Sequence, residues 1–171
     1  PIPPEKFVLG ASVQSAQLAA QSDWNFIFAA HLNGDKALLH DVLSFWQTHS
    51  ARPTIVAVQV IVADSYDTAA QLAENVQLWG VELEDGQRVT VASEEQALAF
   101  AAQSGSPPRK IARREQALLH GTAQEVMAKL NALHTQFGID EFIIDTPVAQ
   151  GHARLTSLRL LAQAHNAVEV L

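Results

Sequence analysis

Thr54-Ile55-Val56-Ala57-Val58-Gln59-Val60-Ile61-Val62-Ala63 is the stretch of the chain that decides its fold. In an extended strand, successive side chains point to opposite faces. Val56, Val58, Val60 and Val62 then share one face, and Ile55, Ala57, Gln59 and Ile61 share the other. Both faces are mostly apolar, as in a parallel sheet covered on both sides. The valine face suits packing against helices. The face with small Ala57 and polar Gln59 suits the inside of a barrel, where layered side chains leave a few polar groups near a ligand. A register shift of one residue would exchange the two faces.

On either side of this strand the same unit recurs: a short apolar run, a turn, then an amphipathic helix. Lys6 to Gly10 reads as a strand and Val13 to Gln21 as its helix. Phe26 to His31 and Asp35 to His49 form the next pair. Thr54 to Ala63 is followed by a helix from Ser65 to Trp79. Asp140 to Thr146 and Gly151 to Asn166 close the series. Strands alternating with helices imply parallel pairing, because each helix returns the chain to the edge where the sheet starts. Gly80 to His120 breaks the rhythm and reads as an insertion within a single domain spanning residues 1–171. Within it, Val89 and Val91 mark a short strand. Ser93 to Gln96 has capping-box spacing and opens a helix through Gln103. Thr122 to Glu125 is a second capping box, and Gly138 sits where a left-handed C-cap is expected.

Two α/β architectures fit these elements. One is half of a (β/α)₈ TIM-type barrel, since a whole one takes about 250 residues. The other is an open, doubly wound sheet with helices on both faces. In the first, one sheet face stays apolar and implies a missing partner.

Composition narrows the function. The chain is 48% hydrophobic, 17% charged and carries a net charge of −7, which disfavours nucleic acid because phosphate backbones call for a basic stripe. The one basic cluster, Arg109, Lys110, Arg113 and Arg114, reads as the solvated face of a helix. No apolar run is long enough to span a membrane. The Pro-Ile-Pro-Pro start carries no signal-peptide pattern and no Met, as expected of a chain that begins inside a longer gene product. There is no Cys, which is compatible with the reducing cytoplasm. Of the 7 His, at 31, 40, 49, 120, 134, 152 and 165, none stands in an H-x-x-x-H pattern, so no metal site is expected.

The turn Leu9-Gly10-Ala11-Ser12-Val13-Gln14-Ser15 passes from a strand into a helix through small residues. Exposed N–H groups and the helix dipole favour an anion there, and Ser12 and Ser15 add hydroxyls. A plain N-cap serine is the competing reading. His31 closes a strand at the end where barrels place their sites, with a capping role as its alternative. Trp46 and Trp79 read as helix residues in the core. Asp145, near a strand end, could face a pocket or cap a helix.

Taken in order, the pieces resemble the luciferase-like flavin-dependent monooxygenases. They are Pro-Ile-Pro-Pro, Val8 to Ser12 with Ser15 to Ala20, Phe26 to Ala29 with His31, and Val58 to Asp64. Gly121 to Val126, Asp140 to Ile143, His152 to Leu155 and Ser157 to Ala162 complete the set. The resemblance covers nearly the whole chain and implies a (β/α)₈ barrel. It also implies reduced FMN, or in some members a deazaflavin, acting with O₂ on a small organic substrate such as an aldehyde. A flavin reductase would supply the reduced cofactor. The family's phosphate-holding turn after its fifth strand maps onto Gly10, Ala11, Ser12, Val13 and Ser15. Ala11 stands where luciferase itself has a carboxylate, which bears on flavin affinity. His31 falls where substrate would lie. The family's catalytic His and much of its flavin-ring pocket belong to the first half of the barrel. The resemblance therefore makes this chain the C-terminal half, expected to act with the N-terminal half or as a homo-oligomer. The alternative is a non-catalytic flavin- or phosphate-binding module that assembles with another chain.

Overall fold

The computed structural model describes residues 3–30, 35–76, 78–114 and 118–168. The main sheet is parallel. It joins β1 (Phe7–Gly10), β2 (Asn25–Ala29), β3 (Ile55–Val62), β7 (Leu118–Gly121) and β8 (Glu141–Asp145). β1 pairs with β2, and β2 with the start of β3. β8 pairs with residues 55–59 of β3, and β7 with residues 59–62.

The alternation in β3 is the one its sequence implies. Val56, Val58, Val60 and Val62 enter one core with Phe26 and Phe28 of β2. Four helices supply the other wall: α1 (Val13–Gln21), α2 (Lys36–His49), α5 (Ala123–Phe137) and α6 (Gly151–Val168). Trp46 is wholly buried there, tilted against Phe26 at 5.5 Å between ring centroids. Its indole N–H donates to Pro53 O at 3.1 Å, which satisfies its polar edge in the core. Ser157 of α6 is buried and accepts the Val62 N–H at 2.8 Å, pinning that helix to the strand.

Register carries the parity across the sheet. Phe7, Leu9, Asn25, Ile27, Ala29, Ile55, Ala57, Glu141 and Ile143 all lie on the face away from these helices. Phe7, Leu9 and Ile143 are 44%, 57% and 40% exposed. One element departs from the simple pattern. α3 (Tyr66–Glu74) does not return behind the valine face. Its Ala69 and Ala73 pack with Ile61, Leu118 and Val148, on the second face at the C-terminal end of β3.

The insertion is an antiparallel sheet, β5-β4-β6, with a helix on it. It comprises β4 (Trp79–Leu83), β5 (Arg88–Val91), α4 (Glu94–Gln103) and β6 (Pro108–Arg113). Val81, Leu83 and Ala97 form its own small core. Two sequence expectations change here. Trp79 opens β4 and does not end a helix. The cluster Arg109 to Arg113 lies on strand β6, so alternate side chains of the run face opposite ways.

Of the two expected capping boxes, the one at Thr122 closes; at Ser93 only the N-cap bond forms, and Gln96 Oε1 accepts the Ala92 N–H instead. Ser93 caps α4. At α5, Thr122 accepts the Glu125 N–H while Glu125 Oε2 accepts the Thr122 N–H at 2.8 Å. Gly138 closes α5 in the left-handed conformation (φ 62, ψ 42). The Thr122 backbone bond, then the Thr122 hydroxyl, hold the Glu125 carboxyl below its ordinary range, with smaller help from Lys129 and His120. A carboxylate whose folded pKa is depressed stabilises the fold above the unfolded pKa, and loses that contribution as pH falls through the folded value. Glu125→Gln can keep an acceptor at this position without the charge. Its melting temperature should therefore fall less than that of the parent between neutral pH and the acid side of about pH 4. Parallel acid limbs for the two proteins would exclude a contribution from the Glu125 charge.

Candidate phosphate turn and the open sheet face

Gly10 ends β1, and α1 starts at Val13. Ser12 is the N-cap, in extended conformation, and its Oγ accepts the Ser15 N–H at 3.2 Å. The two hydroxyls lie 2.9 Å apart and share a proton bond. Both readings of this turn are thus physically present: Ser12 caps the helix, and two hydroxyls converge at its positive end. A Cβ built on Gly10 would stand 2.5 Å from Ser15 Cβ and Oγ. Only glycine lets the strand end lie this close to the serine pair. The N–H groups of Val13 and Gln14 belong to the first helical turn, where no intrahelical acceptor exists. Two hydroxyls, first-turn amides and a helix dipole are a donor set for a phosphate.

The second polar feature lies on the open face. Gln59 and Asp145 are register partners on β3 and β8, and Gln59 Nε2 donates to Asp145 Oδ2 at 2.9 Å. Asp145 thus faces the open side of the sheet. Further along the same face, at the C-terminal end of β3, His120 is the register partner of Ile61. Its ring lies 5.5 Å from that of Tyr66, the first residue of α3.

No family model matches the chain. The N-acetyl-S-alkylcysteine monooxygenase of Bacillus subtilis is 30% identical over 165 residues, covering 94% of this chain and 49% of that protein. MsnO8, solved in its apo form, superposes with a TM-score of 0.65 at 21% identity, over 97% of this chain and 52% of MsnO8. The oxygenating constituent of 3,6-diketocamphane monooxygenase from Pseudomonas putida, solved with FMN, gives 0.50 at 16% identity, over 94% and 49%. In sequence the chain is similar to a monooxygenase, and in fold to MsnO8. The α/β fold aligns with about half of the MsnO8 chain. The chain spans about half the length of the curated relatives it matches.

The residues singled out from sequence divide accordingly. Gly10, Ala11, Ser12, Val13 and Ser15 are brought into one turn. His31 lies outside the described residues. Trp46 is core, and Trp24 is exposed with the Lys6 ammonium 5.2 Å from its ring centroid. His40 and His49 are exposed on α2, while His134 Nδ1 is bonded to Ile139 O at 2.6 Å. Among the described residues no group of His, Asp and Glu could hold a metal ion, and no helix is long and apolar enough to cross a membrane. Tyr66 and His120 were not recognisable as neighbours in the sequence. The one signal was His120 ending the short run Leu118-Leu119 before Gly121.

Proposed function

We propose that this chain is the C-terminal half of a luciferase-like flavin-dependent monooxygenase, in which the turn Gly10 to Ser15 holds the phosphate of FMN. The flavin, when bound reduced, supplies the chemistry with O₂, and a small organic molecule is oxidised. The observation that carries this reading is the 30% identity to a monooxygenase over 94% of the chain. It is supported by the close approach of Gly10 to Ser15 at the start of α1. The turn binds and orients the cofactor, and the open face of the sheet, with its Gln59–Asp145 pair, lines the space beside it. A second reading, a non-catalytic module that binds flavin or phosphate and assembles with another chain, draws on the exposure of Phe7, Leu9 and Ile143.

FMN titration followed by flavin fluorescence tests the first reading, on this chain alone and joined to any upstream segment of its reading frame. Replacing Ser12 and Ser15 together by Ala removes both hydroxyls while leaving the helix backbone intact. Binding should weaken by on the order of 1–3 kcal/mol, the scale of hydrogen bonds to a charged group. Equal FMN affinity in parent and double variant would remove the phosphate from this turn.

A further inference from the structure

Arg88, Arg109, Lys110, Arg113 and Arg114 are five of the chain's 11 Lys and Arg residues, gathered on one small sheet of a protein with net charge −7. Glu82 is paired with Arg88 at 3.0 Å and Arg109 at 3.8 Å. Lys110, Arg113 and Arg114 form no ion pair among the described residues. Arg114 is held in place, with its Nη1 donating to Thr90 Oγ1 at 2.9 Å and its N–H to Leu78 O at 2.8 Å. Arg113 and Arg114 are exposed, and both border a cleft on the small sheet with Thr90 and Lys110. They also close one side of a second cleft of about 500 Å³ whose other walls are Tyr66, Glu74, Leu118 and His120. Glu74 is the one carboxylate on that wall and pairs with neither arginine.

The position matters as much as the charge. Leu118 and His120 are register partners of Gln59 and Ile61, so they lie on the sheet face opposite the valine core, at the C-terminal end of β3. Parallel α/β sheets place their ligands outside that end. The cleft has an apolar part in Leu118 and the Ala70–Ala73 side of α3, and aromatic edges in Tyr66 and His120. Two guanidiniums present planar, forked donors matched to a carboxylate. We propose that this cleft binds the carboxylate of a small organic acid, with Arg113 and Arg114 as donors and Tyr66 and His120 against its apolar part. On the flavin monooxygenase reading above, on which this use rests, that acid is the substrate.

The probe is benzoate, which joins a carboxylate to a flat apolar ring, with benzamide as its neutral counterpart and inorganic phosphate as a plain anion. Each is titrated into the 171-residue chain while the His120 ring signal is followed by NMR. The expected result is a saturable shift with benzoate and none with benzamide. The R113Q/R114Q variant should weaken benzoate binding by roughly tenfold or more, the scale of losing charge-assisted hydrogen bonds. Arg113→Gln alone, at an exposed side chain, gives the same direction if the double variant is poorly folded. Lys110→Gln changes the neighbouring cleft on the small sheet and should leave benzoate binding as it was. An equal response to benzamide overturns the proposal, as does tighter binding of phosphate at His120. So does a loss in the Lys110→Gln variant as large as in the arginine variants, or the absence of any saturable shift. FMN titration of the same samples keeps the two readings apart. Equal FMN affinity in the parent and the Ser12/Ser15 double variant would refute the phosphate reading of the turn, whereas the benzoate result speaks only for the cleft.

Discussion

The purified 171-residue chain, supplied with reduced FMN and O₂, is expected to yield hydrogen peroxide and no oxygenated product. In water, reduced flavin transfers two electrons and two protons to O₂, giving oxidised flavin and peroxide. Diverting that oxidation into a substrate calls for a closed site that excludes water and positions the reacting groups. The described residues do not make such an enclosure. The face that would border the flavin is a row of apolar side chains, with Phe7, Leu9 and Ile143 open to solvent. Of its polar members, Gln59 and Asp145 are bonded to each other, and Asn25 and Glu141 lie at the N-terminal ends of their strands. The turn from Gly10 to Ser15 carries two hydroxyls and no acid or base. Peroxide and product measured side by side decide the matter. Product formation coupled to flavin oxidation by this chain alone would mean that the open face is a complete active site.

How far the sequence foretold this arrangement depends on how regular each element's pattern is. The strict valine alternation of Val56 to Val62 made the orientation of β3 readable, whereas the register of β2 and β8 against it is a fact of the structure. The N-caps at Ser93 and Thr122 were legible because they are local, needing only residues three apart. The side on which α3 packs was not legible. Its contact residues, Ala69 and Ala73, are small enough to meet either sheet face, and the choice was made by Ile61, Leu118 and Val148, far apart in sequence. β4 could have been read from Trp79, Val81 and Leu83 alternating with Gly80 and Glu82. Its start was obscured by the preceding helix, which ends at Glu74. β6 reads Pro-Arg-Lys-Ile-Ala-Arg, with basic side chains on both faces and no apolar alternation to mark it as a strand. The same polarity that hides it as a strand makes Arg113 and Arg114 available to a ligand. The strand-to-helix turn at Gly10 to Ser15 was recognisable from its small residues, but the contact that requires Gly10 joins it to Ser15 across the turn. That contact is a fact of backbone geometry, not of composition.

The open sheet face carries the other large expectation: in solution this chain should be at least a dimer, or should pair with the N-terminal half of a longer product. Helices α1, α2, α5 and α6 cover the valine side, and α3 covers only the C-terminal end of the other. Ile55 and Ala57 are shielded by neighbouring side chains, but Phe7, Leu9 and Ile143 stay exposed on the same surface. Parallel sheets are ordinarily covered on both faces, and unpaired edge strands add a tendency to associate. Covering about 600 Å² of apolar surface would offer on the order of 15 kcal/mol, before association costs that consume most of it. A second copy related by twofold symmetry presents the same patch to itself, so Phe7 and Leu9 of one copy can meet the patch of the other. Sedimentation at micromolar concentration should show the dimer or a larger species. Leu9→Glu with Ile143→Lys puts charges into that contact and should shift the population toward monomer, while far-UV circular dichroism stays unchanged because neither side chain enters the helix-side core. A stable monomer that keeps a sharp thermal transition, with its open face in water, would exclude the half-barrel reading. The sheet would then be sufficient with one face bare, and the likeness to half of a monooxygenase would reflect shared fold without shared assembly.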